Sequence, residues 1–125
     1  MIKRLWSWIT NERKWHREHH AAWELARIPG PDGFSPFQKE CERRLNEALA
    51  EVGSAVVDRT IAGETDRYVT GKLRNTQVEI WIYLDGAQLS GPDLDFRLED
   101  WDARTPDELC TEYSRKAVNV IQGVA

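Results

Sequence analysis

Three groups of side chains in this sequence have the types and spacing to do chemistry, and the first is a group of histidines. The chain has three of them, His16, His19 and His20. On a helix, His16 and His20 would lie one turn apart and could share a metal ion with Glu12 or Glu24. Structural zinc sites are normally tetrahedral, and neither cysteine lies close to this segment. We therefore interpret the histidines as part of a solvated, cation-rich helix face, and we predict no metal site and no cofactor.

The second group is the pair of cysteines, Cys41 and Cys110. A nucleophilic cysteine needs an accessible thiolate with a lowered pKa, whereas both of these residues occupy apolar positions of predicted helices. We predict buried, inert thiols and no catalytic residue. Two cysteines in a chain of 125 residues do not make a disulfide scaffold, so we expect a reduced, cytoplasmic protein.

The third group is an acidic run around the last predicted strand. Paired carboxylates can bind a divalent ion or transfer protons, which keeps a metal-dependent hydrolase as one hypothesis. The carboxylates lie closer together than those of nuclease-type acidic motifs, and the lysine of such motifs is missing. Alternation along one strand face explains the polarity of Asp95, Arg97 and Glu99 without catalysis. The run consists of Asp93, Asp95, Glu99, Asp100 and Asp102.

The stretch Gln77–Leu84 has the clearest strand pattern in the chain. Aliphatic residues alternate there with polar and aromatic ones, and this period of two predicts a strand with one face that must be covered. The opposite face is left to meet water or a partner. The aliphatic residues are Val78, Ile80, Ile82 and Leu84.

The polar and aromatic face of the predicted sheet is a candidate binding surface. Bases could stack on its rings, but neutralisation of phosphates dominates affinity for nucleic acid, and the chain has a net charge of -4. We therefore prefer cross-strand packing to base stacking and do not expect a nucleic-acid partner. The residues that we predict to contact a protein partner are Tyr68, Lys72, Arg74, Trp81, Tyr83, Asp95, Arg97 and Glu99.

The segment from Met1 to about Ala26 lacks proline and glycine and contains four of the six tryptophans, which predicts a Trp-rich helix. Three interpretations of its apolar stripe stay open: core packing, contact with another protein or a second copy, and adsorption to a membrane surface. Residues 1–28 carry six basic and three acidic residues, so this basic helix could be partly detached from the rest. Its candidate contact residues are Trp6, Trp8 and Trp15.

Length and composition favour one domain that covers residues 1–125. Hydrophobic residues make up 41% of the chain and charged residues 30%, which is ordinary globular usage. The first apolar run, of about five residues, is shorter than a secretory signal requires, and no later stretch reaches membrane-spanning length. Residues 85–112 contain nine acids and two arginines, and an acidic edge of this kind suits a basic partner.

Two further helices have start and stop signals. Ser35 and Gln38 form a predicted capping box around a proline, and Gly53 is placed to end that helix in a left-handed cap. Thr105–Glu108 repeats the pattern, and Gly123 ends the last helix. The proline- and glycine-rich Ile28–Gly33 cannot continue a helix, so we expect the first two helices to form a helical hairpin.

The strand region contains one point at which the sequence allows two structures. Asp85-Gly86 could be a two-residue hairpin turn, or a bulge within one strand that runs on to Leu89. We prefer the bulge, because it lets Leu84 and Leu89 both face the core. The other predicted strands are residues 55–61, 68–74 and 94–99, and Gly71 either weakens its strand or permits a close approach.

The predicted fold is α+β: two N-terminal helices, a four-stranded antiparallel sheet and one C-terminal helix, with the helices on one face of the sheet. No catalytic motif stands out, so our leading hypothesis is a small, non-enzymatic protein-binding domain, such as an inhibitor, an immunity-type protein or an accessory subunit. It would use the sheet face, the Trp-rich helix and the acidic edge. The alternatives are a peripheral membrane protein held by the N-terminal helix and a metal-dependent hydrolase that uses the acidic strand.

Overall fold

A computed structural model of the chain describes residues 20–61, 68–74, 76–99 and 105–123. Several predicted features lie outside these residues. They are most of the Trp-rich helix, including Trp6, Trp8 and Trp15, two of the histidines, and the carboxylates of Asp100 and Asp102.

Residues 20–26 form a helical segment, α1, and a tight connection follows it at the predicted place. The Gly33 N–H donates to the carbonyl of Gly30 across 2.9 Å, and Gly33 has a φ of 88°, which favours glycine. Trp23 is 2% exposed, and its ring centroid lies 4.9 Å from that of Phe37 on the next helix. This contact joins the two helical segments on either side of the turn.

Helix α2, Pro36–Glu51, begins at the predicted capping box. The Gln38 N–H donates to the Ser35 hydroxyl across 3.2 Å, and the Ser35 N–H donates to Gln38 Oε1 across 2.9 Å. Gly53, with a φ of 71°, follows the last turn in the left-handed conformation. Both ends of the helix therefore form as the sequence predicts.

Helix α3, Pro106–Gln122, has the same signals. The Thr105 hydroxyl accepts from the Glu108 N–H across 3.1 Å, and Gly123 caps the C-terminus with a φ of 71°. The helix packs against α2, and Arg44 joins the two, since it donates to the carbonyl of Asp107 across 3.3 Å and to the Thr111 hydroxyl across 3.2 Å.

Within the described residues, the sheet has five antiparallel strands in the order of the chain. Each strand therefore pairs with its sequence neighbours, as in a meander. The strands are β1 Val56–Ile61, β2 Val69–Leu73, β3 Glu79–Ile82, β4 Gly86–Gly91 and β5 Leu94–Glu99.

The prediction of four strands is wrong, because the bulge preferred at Asp85-Gly86 is a hairpin. The Tyr83 N–H donates to the carbonyl of Gly86 across 2.8 Å, and the chain reverses between these residues. Ile82 then pairs with Ala87. The reversal directs Ala87 to the aliphatic side of the sheet, so the apolar pattern is satisfied by two short strands instead of one long strand.

A bulge does occur, but in β1, where the sequence analysis did not place one. The register with β2 shifts between Val57 and Thr60, and Asp58 has a φ of 51°. The extra residue lets Arg59 reach α2, where its Nε lies 2.9 Å from Glu42 Oε1. The predicted close approach at Gly71, on the neighbouring strand β2, is confirmed. A Cβ on Gly71 would lie 2.5 Å from a methyl group of Val56 on β1.

The core lies between one face of the sheet and helices α2 and α3. Two hydrogen bonds join the helices to strand backbones: Gln38 Nε2 donates to the Ile82 carbonyl across 3.1 Å, and the Tyr113 hydroxyl donates to the Gln88 carbonyl across 2.7 Å. Helices on one face are therefore observed as predicted. The buried apolar residues from the sheet are Val69, Leu73, Val78, Ile80, Ile82, Ala87, Leu89 and Leu98, and those from the helices are Trp23, Phe37, Cys41, Leu45, Leu49, Leu109, Cys110, Tyr113 and Ala117.

Candidate binding surface on the outer sheet face

The outer face is the side of the sheet that points away from α2 and α3. Strand register defines two rows of residues across it. The first row pairs Thr70, Trp81, Gln88 and Arg97, and the second pairs Lys72, Glu79, Ser90 and Asp95. Tyr68, Tyr83 and Glu99 lie on the same face by alternation, next to the first row.

Three aromatic rings form a cluster on this face. The ring centroid of Tyr68 lies 5.1 Å from that of Trp81 and 5.9 Å from that of Tyr83, and both pairs are tilted. All three side chains are half-buried. Tilted contacts at these distances are favourable for aromatic pairs, so the rings hold one another in place and still keep exposed area.

Gln88 connects the aromatic cluster to the acidic strand. The Tyr83 hydroxyl donates to Gln88 Oε1 across 3.1 Å, and Gln88 Nε2 donates to Asp95 Oδ1 across 2.7 Å. The amide therefore uses its acceptor on one neighbour and a donor on the other. This chain of hydrogen bonds restricts the rotamers of Tyr83, Gln88 and Asp95 together.

Arg97 lies over the aromatic cluster and supplies its positive charge. The guanidinium carbon is 5.4 Å from the centroid of the Tyr83 ring, and the same side chain forms an ion pair with Glu99. Burial raises the pKa of Tyr83, while the charge of Arg97 acts in the opposite direction. Tyr83 is therefore a neutral phenol that can donate or accept a hydrogen bond at neutral pH.

Charged side chains in and next to β2 and β3 on this face have no partner within the described ranges. Lys72 is directly opposite Glu79 in the register, but neither forms an ion pair there. Arg74, immediately after β2, is exposed and is likewise unpaired among the described residues. The register places Lys72 and Glu79 one row from Trp81, so they form a polar border on one side of the half-buried rings.

The structure brings together most of the residues predicted for this surface. Tyr68, Trp81, Tyr83, Arg97 and Glu99 form the cluster and its cation. Asp95 is connected to this cluster through the side-chain amide of Gln88, and Lys72 lies one row away from the cluster. Arg74 lies past the end of its strand, at the margin of the face, and the three predicted tryptophans of the first helix lie outside the described residues.

Four residues of these rows, Thr70, Glu79, Gln88 and Ser90, are not among the predicted contact residues. Gln88 and Ser90 belong to β4, which the preferred bulge merged with the preceding strand. The two-residue hairpin, the other alternative, would have placed them correctly. If the alternation of side chains between the two faces starts again after Gly86, Gln88 lies opposite Trp81 on the outer face.

The structure also locates the histidine, acidic and cysteine side chains that the sequence analysis considered for metal binding or nucleophilic chemistry. Within the described ranges, no three histidine, cysteine or acidic side chains lie close enough together to hold a metal ion. His20 is exposed. Asp95 and Glu99 contact Gln88 and Arg97, respectively.

The two cysteines are buried, as predicted, and neither forms a disulfide. A hydrogen bond with the thiol of Cys110, together with burial, raises the pKa of Cys41 well above its ordinary value. A thiol of this kind is poorly nucleophilic.

A second exposed apolar surface lies at the end of α1. Leu25 is 73% exposed and Ile28 is 52% exposed, while Trp23 of the same helix is buried. None of the helical stretches in the described part of the chain combines the length and apolar character that crossing a bilayer requires. That Trp6, Trp8 and Trp15 belong to a contact surface stays a prediction, because they lie outside the described residues.

Comparison with known proteins adds no relative: no family model, curated protein sequence or solved structure matches this chain.

Proposed function

We propose that this protein is a non-enzymatic protein-binding module that docks its partner on the outer face of the sheet. The observation that carries the proposal is the aromatic cluster of Tyr68, Trp81 and Tyr83. It is built on the face that α2 and α3 leave uncovered, whereas the apolar core lies on the other face. Half-buried rings in this position have area left for a partner to bury.

The composition of the surface supports this function. Tryptophan, tyrosine and arginine are the residues that most often dominate binding energy at protein interfaces, especially within a polar rim. Trp81 lies on the central strand of the outer face, Tyr83 follows it at the end of β3, and Arg97 lies over Tyr83 from the edge strand, with Lys72 and Glu79 one row from Trp81. The cluster therefore resembles a small interface core with its rim.

Preorganisation also supports binding. The hydrogen bonds of Gln88 and the stacking of Arg97 on Tyr83 restrict these side chains before any partner arrives. Binding to ordered side chains loses less conformational entropy than binding to mobile ones. Asp93 and Asp95 are exposed beside β5, which favours a partner that is basic where it meets this edge. Inhibitors, immunity-type proteins and accessory subunits work through surfaces of this kind.

The test is a comparison of two alanine variants. Proteins captured from the source cells with the full chain are purified, and their affinity for wild type, Trp81→Ala and Asn46→Ala is measured by calorimetry. Asn46 is exposed on α2, on the opposite side of the molecule. We expect Trp81→Ala to weaken the complex by about 30-fold or more, because it removes the largest ring of the cluster, and Asn46→Ala to leave affinity unchanged.

Thermal unfolding of both variants checks that they are folded. A partner that binds a folded Trp81→Ala variant as tightly as wild type contradicts the proposal.

A further inference from the structure

The two edges of the sheet differ in how well they can accept another strand. The β1 edge is interrupted by the bulge at Asp58, and bulges of this kind hinder pairing with a further strand. The β5 edge is regular: all six of its residues, Leu94–Glu99, stay in register with β4. Among the described residues, no strand pairs with the other side of β5.

The hydrogen-bonding pattern identifies which backbone groups face this edge. Tyr83 and Gly86 form a hydrogen-bonded pair, and such pairs occur at every second residue of an antiparallel ladder. The even-numbered residues of β4 therefore bond to β3, and its odd-numbered residues bond to β5. In the register of β4 with β5, the partners of those odd-numbered residues are the even-numbered residues of β5. The amide and carbonyl groups of Asp95 and Arg97 therefore point away from β4. No backbone group in the described part of the chain bonds to them outside the sheet, so they can pair with a strand added at the edge.

The sequence of β5 is complementary to itself when read in the antiparallel direction. With a two-fold axis at Phe96, Asp95 lies opposite Arg97 of a second copy, and Arg97 lies opposite the second copy's Asp95. Leu94 then faces Leu98 of the second copy, and the two Phe96 side chains meet on the axis. Within Leu94–Leu98, opposite charges and apolar residues therefore pair on their own sides of the sheet, and the like-charged pair, Glu99 opposite Asp93 of the second copy, lies at the ends of the pairing.

Other registers are less favourable. An axis at Arg97 puts two arginines opposite each other and places Asp95 opposite Glu99, so like charges face each other. A slip by one residue would put apolar side chains against charged ones, because the side-chain period is two.

The apolar side of β5 is incompletely covered by its own chain. Leu94 and Phe96 are only half-buried, although both point to the core side of the sheet. The cover over Phe96 includes the ammonium group of Lys116, 4.9 Å from the ring centroid. A second copy of β5 would place further leucine and phenylalanine side chains beside them.

We propose that two copies of this chain associate through β5, paired antiparallel about a two-fold axis at Phe96, so that their five-stranded sheets form one continuous sheet. The outer faces of the two copies then lie side by side. This association rests on the edge strand alone and does not depend on the proposed docking function.

The experiment uses charge reversals on the full-length protein, with association measured by sedimentation equilibrium over a wide range of concentration. Asp95→Arg and Arg97→Asp each place like charges opposite each other in both symmetric pairs. We expect each to raise the dimer dissociation constant by at least about tenfold. The double variant exchanges the two charges and should restore association.

An equimolar mixture of the two single variants gives a second readout. One chain then has two arginines where the other has two aspartates, so we expect a heterodimer to replace the weak homodimers. This arm and the double variant decide the matter even if one single variant associates weakly because it is destabilised. Circular dichroism melting of each protein reports folding separately.

Three results would overturn the proposal. The first is a wild-type chain that stays monomeric at its highest soluble concentration. The second is a dimer that neither reversal weakens, or a mixture that forms no heterodimer. The third is a dimer that Trp81→Ala disrupts while the charge reversals do not, because that result would place the association on the outer face.

Discussion

The hydroxyl of Tyr113, on α3, donates a hydrogen bond of 2.7 Å to the main-chain carbonyl of Gln88, on β4. Tyr113 is completely buried, whereas the side chain of Gln88 contacts Tyr83 and Asp95 on the outer face. One residue of β4 is therefore held by the core from one side and by the candidate binding surface from the other. The stability of the helix–sheet packing and the geometry of that surface are coupled at this point.

Tyr113→Phe removes this hydrogen bond and leaves the ring in place. We expect the free energy of unfolding to fall by about 1 kcal/mol, because a buried carbonyl loses one of its partners. Urea unfolding monitored by circular dichroism measures the change. The matched control is Tyr68→Phe, since the Tyr68 hydroxyl has no hydrogen-bond partner in the described part of the chain. Equal costs for the two variants would contradict the role assigned to Tyr113.

Gln38→Ala tests the connection between the start of α2 and the hairpin. Gln38 is fully buried, accepts from the Ser35 N–H and donates to the Ile82 carbonyl. Truncation leaves two buried polar groups without these partners and opens a cavity, so we expect a loss of about 2 to 4 kcal/mol in the free energy of unfolding. The control is Asn46→Ala, an exposed position on the same helix, which should cost about 0.5 kcal/mol or less. A neutral Gln38→Ala variant would show that the capping box contributes little.

Glu40 should make stability depend on acidity. Hydrogen bonds from Arg43 and then Arg44 lower the pKa of Glu40 from 4.5 to about 2. Since the pKa is lower in the folded state, the stabilisation is present above pH 4.5 and is lost as pH falls from there to about 2. The carboxylate is 39% exposed, so solvent screening reduces the effect.

We expect Glu40→Gln to flatten the fall in stability over this pH range, as measured by urea unfolding at a series of pH values. Glu51→Gln is the control, because Glu51 is exposed at the end of the same helix. An unchanged acid profile for Glu40→Gln would show that the arginine contacts do not persist in solution.

Gly86→Ala tests the close approach of two strands at the hairpin. A Cβ at this position would lie 2.7 Å from the carbonyl oxygen of Leu98, which belongs to the paired backbone of β5. The strands must separate to admit it, so we expect a loss of about 1 to 3 kcal/mol in the free energy of unfolding. Gly30→Ala is a matched control, because its nearest atoms would be 3.5 Å from the added Cβ. Similar melting temperatures for the two variants would argue against this steric contact.

The helix ends and the strand faces could be predicted from the sequence because their causes are local. Ser35 and Gln38 satisfy backbone groups within three residues of each other, and Gly53 supplies the left-handed conformation that ends the helix. The alternation around Trp81 likewise assigns each side chain to a face. Most of the candidate binding surface followed from that alternation alone.

The hairpin after Tyr83 could not be chosen from the sequence, because both alternatives satisfy the local apolar pattern. The hairpin requires β4 to pair with β3 on one side and with β5 on the other, and such pairing between strands cannot be seen in the local sequence. The position of Gln88 on the outer face follows from that choice, and so does the correct number of strands.

The sequence by itself determined where α2 and α3 begin and end, which side chains of β2, β3 and β5 face the core, and that aromatic and charged residues share the other face. These features depend on hydrogen bonds and side-chain periods within a few residues. Only the tertiary structure decided that β1 carries a bulge at Asp58, that Arg59 reaches Glu42 and that Gln88 connects Tyr83 to Asp95. Each of these depends on the register between strands or on a helix that packs across them, and such long-range geometry is set by how the whole core closes.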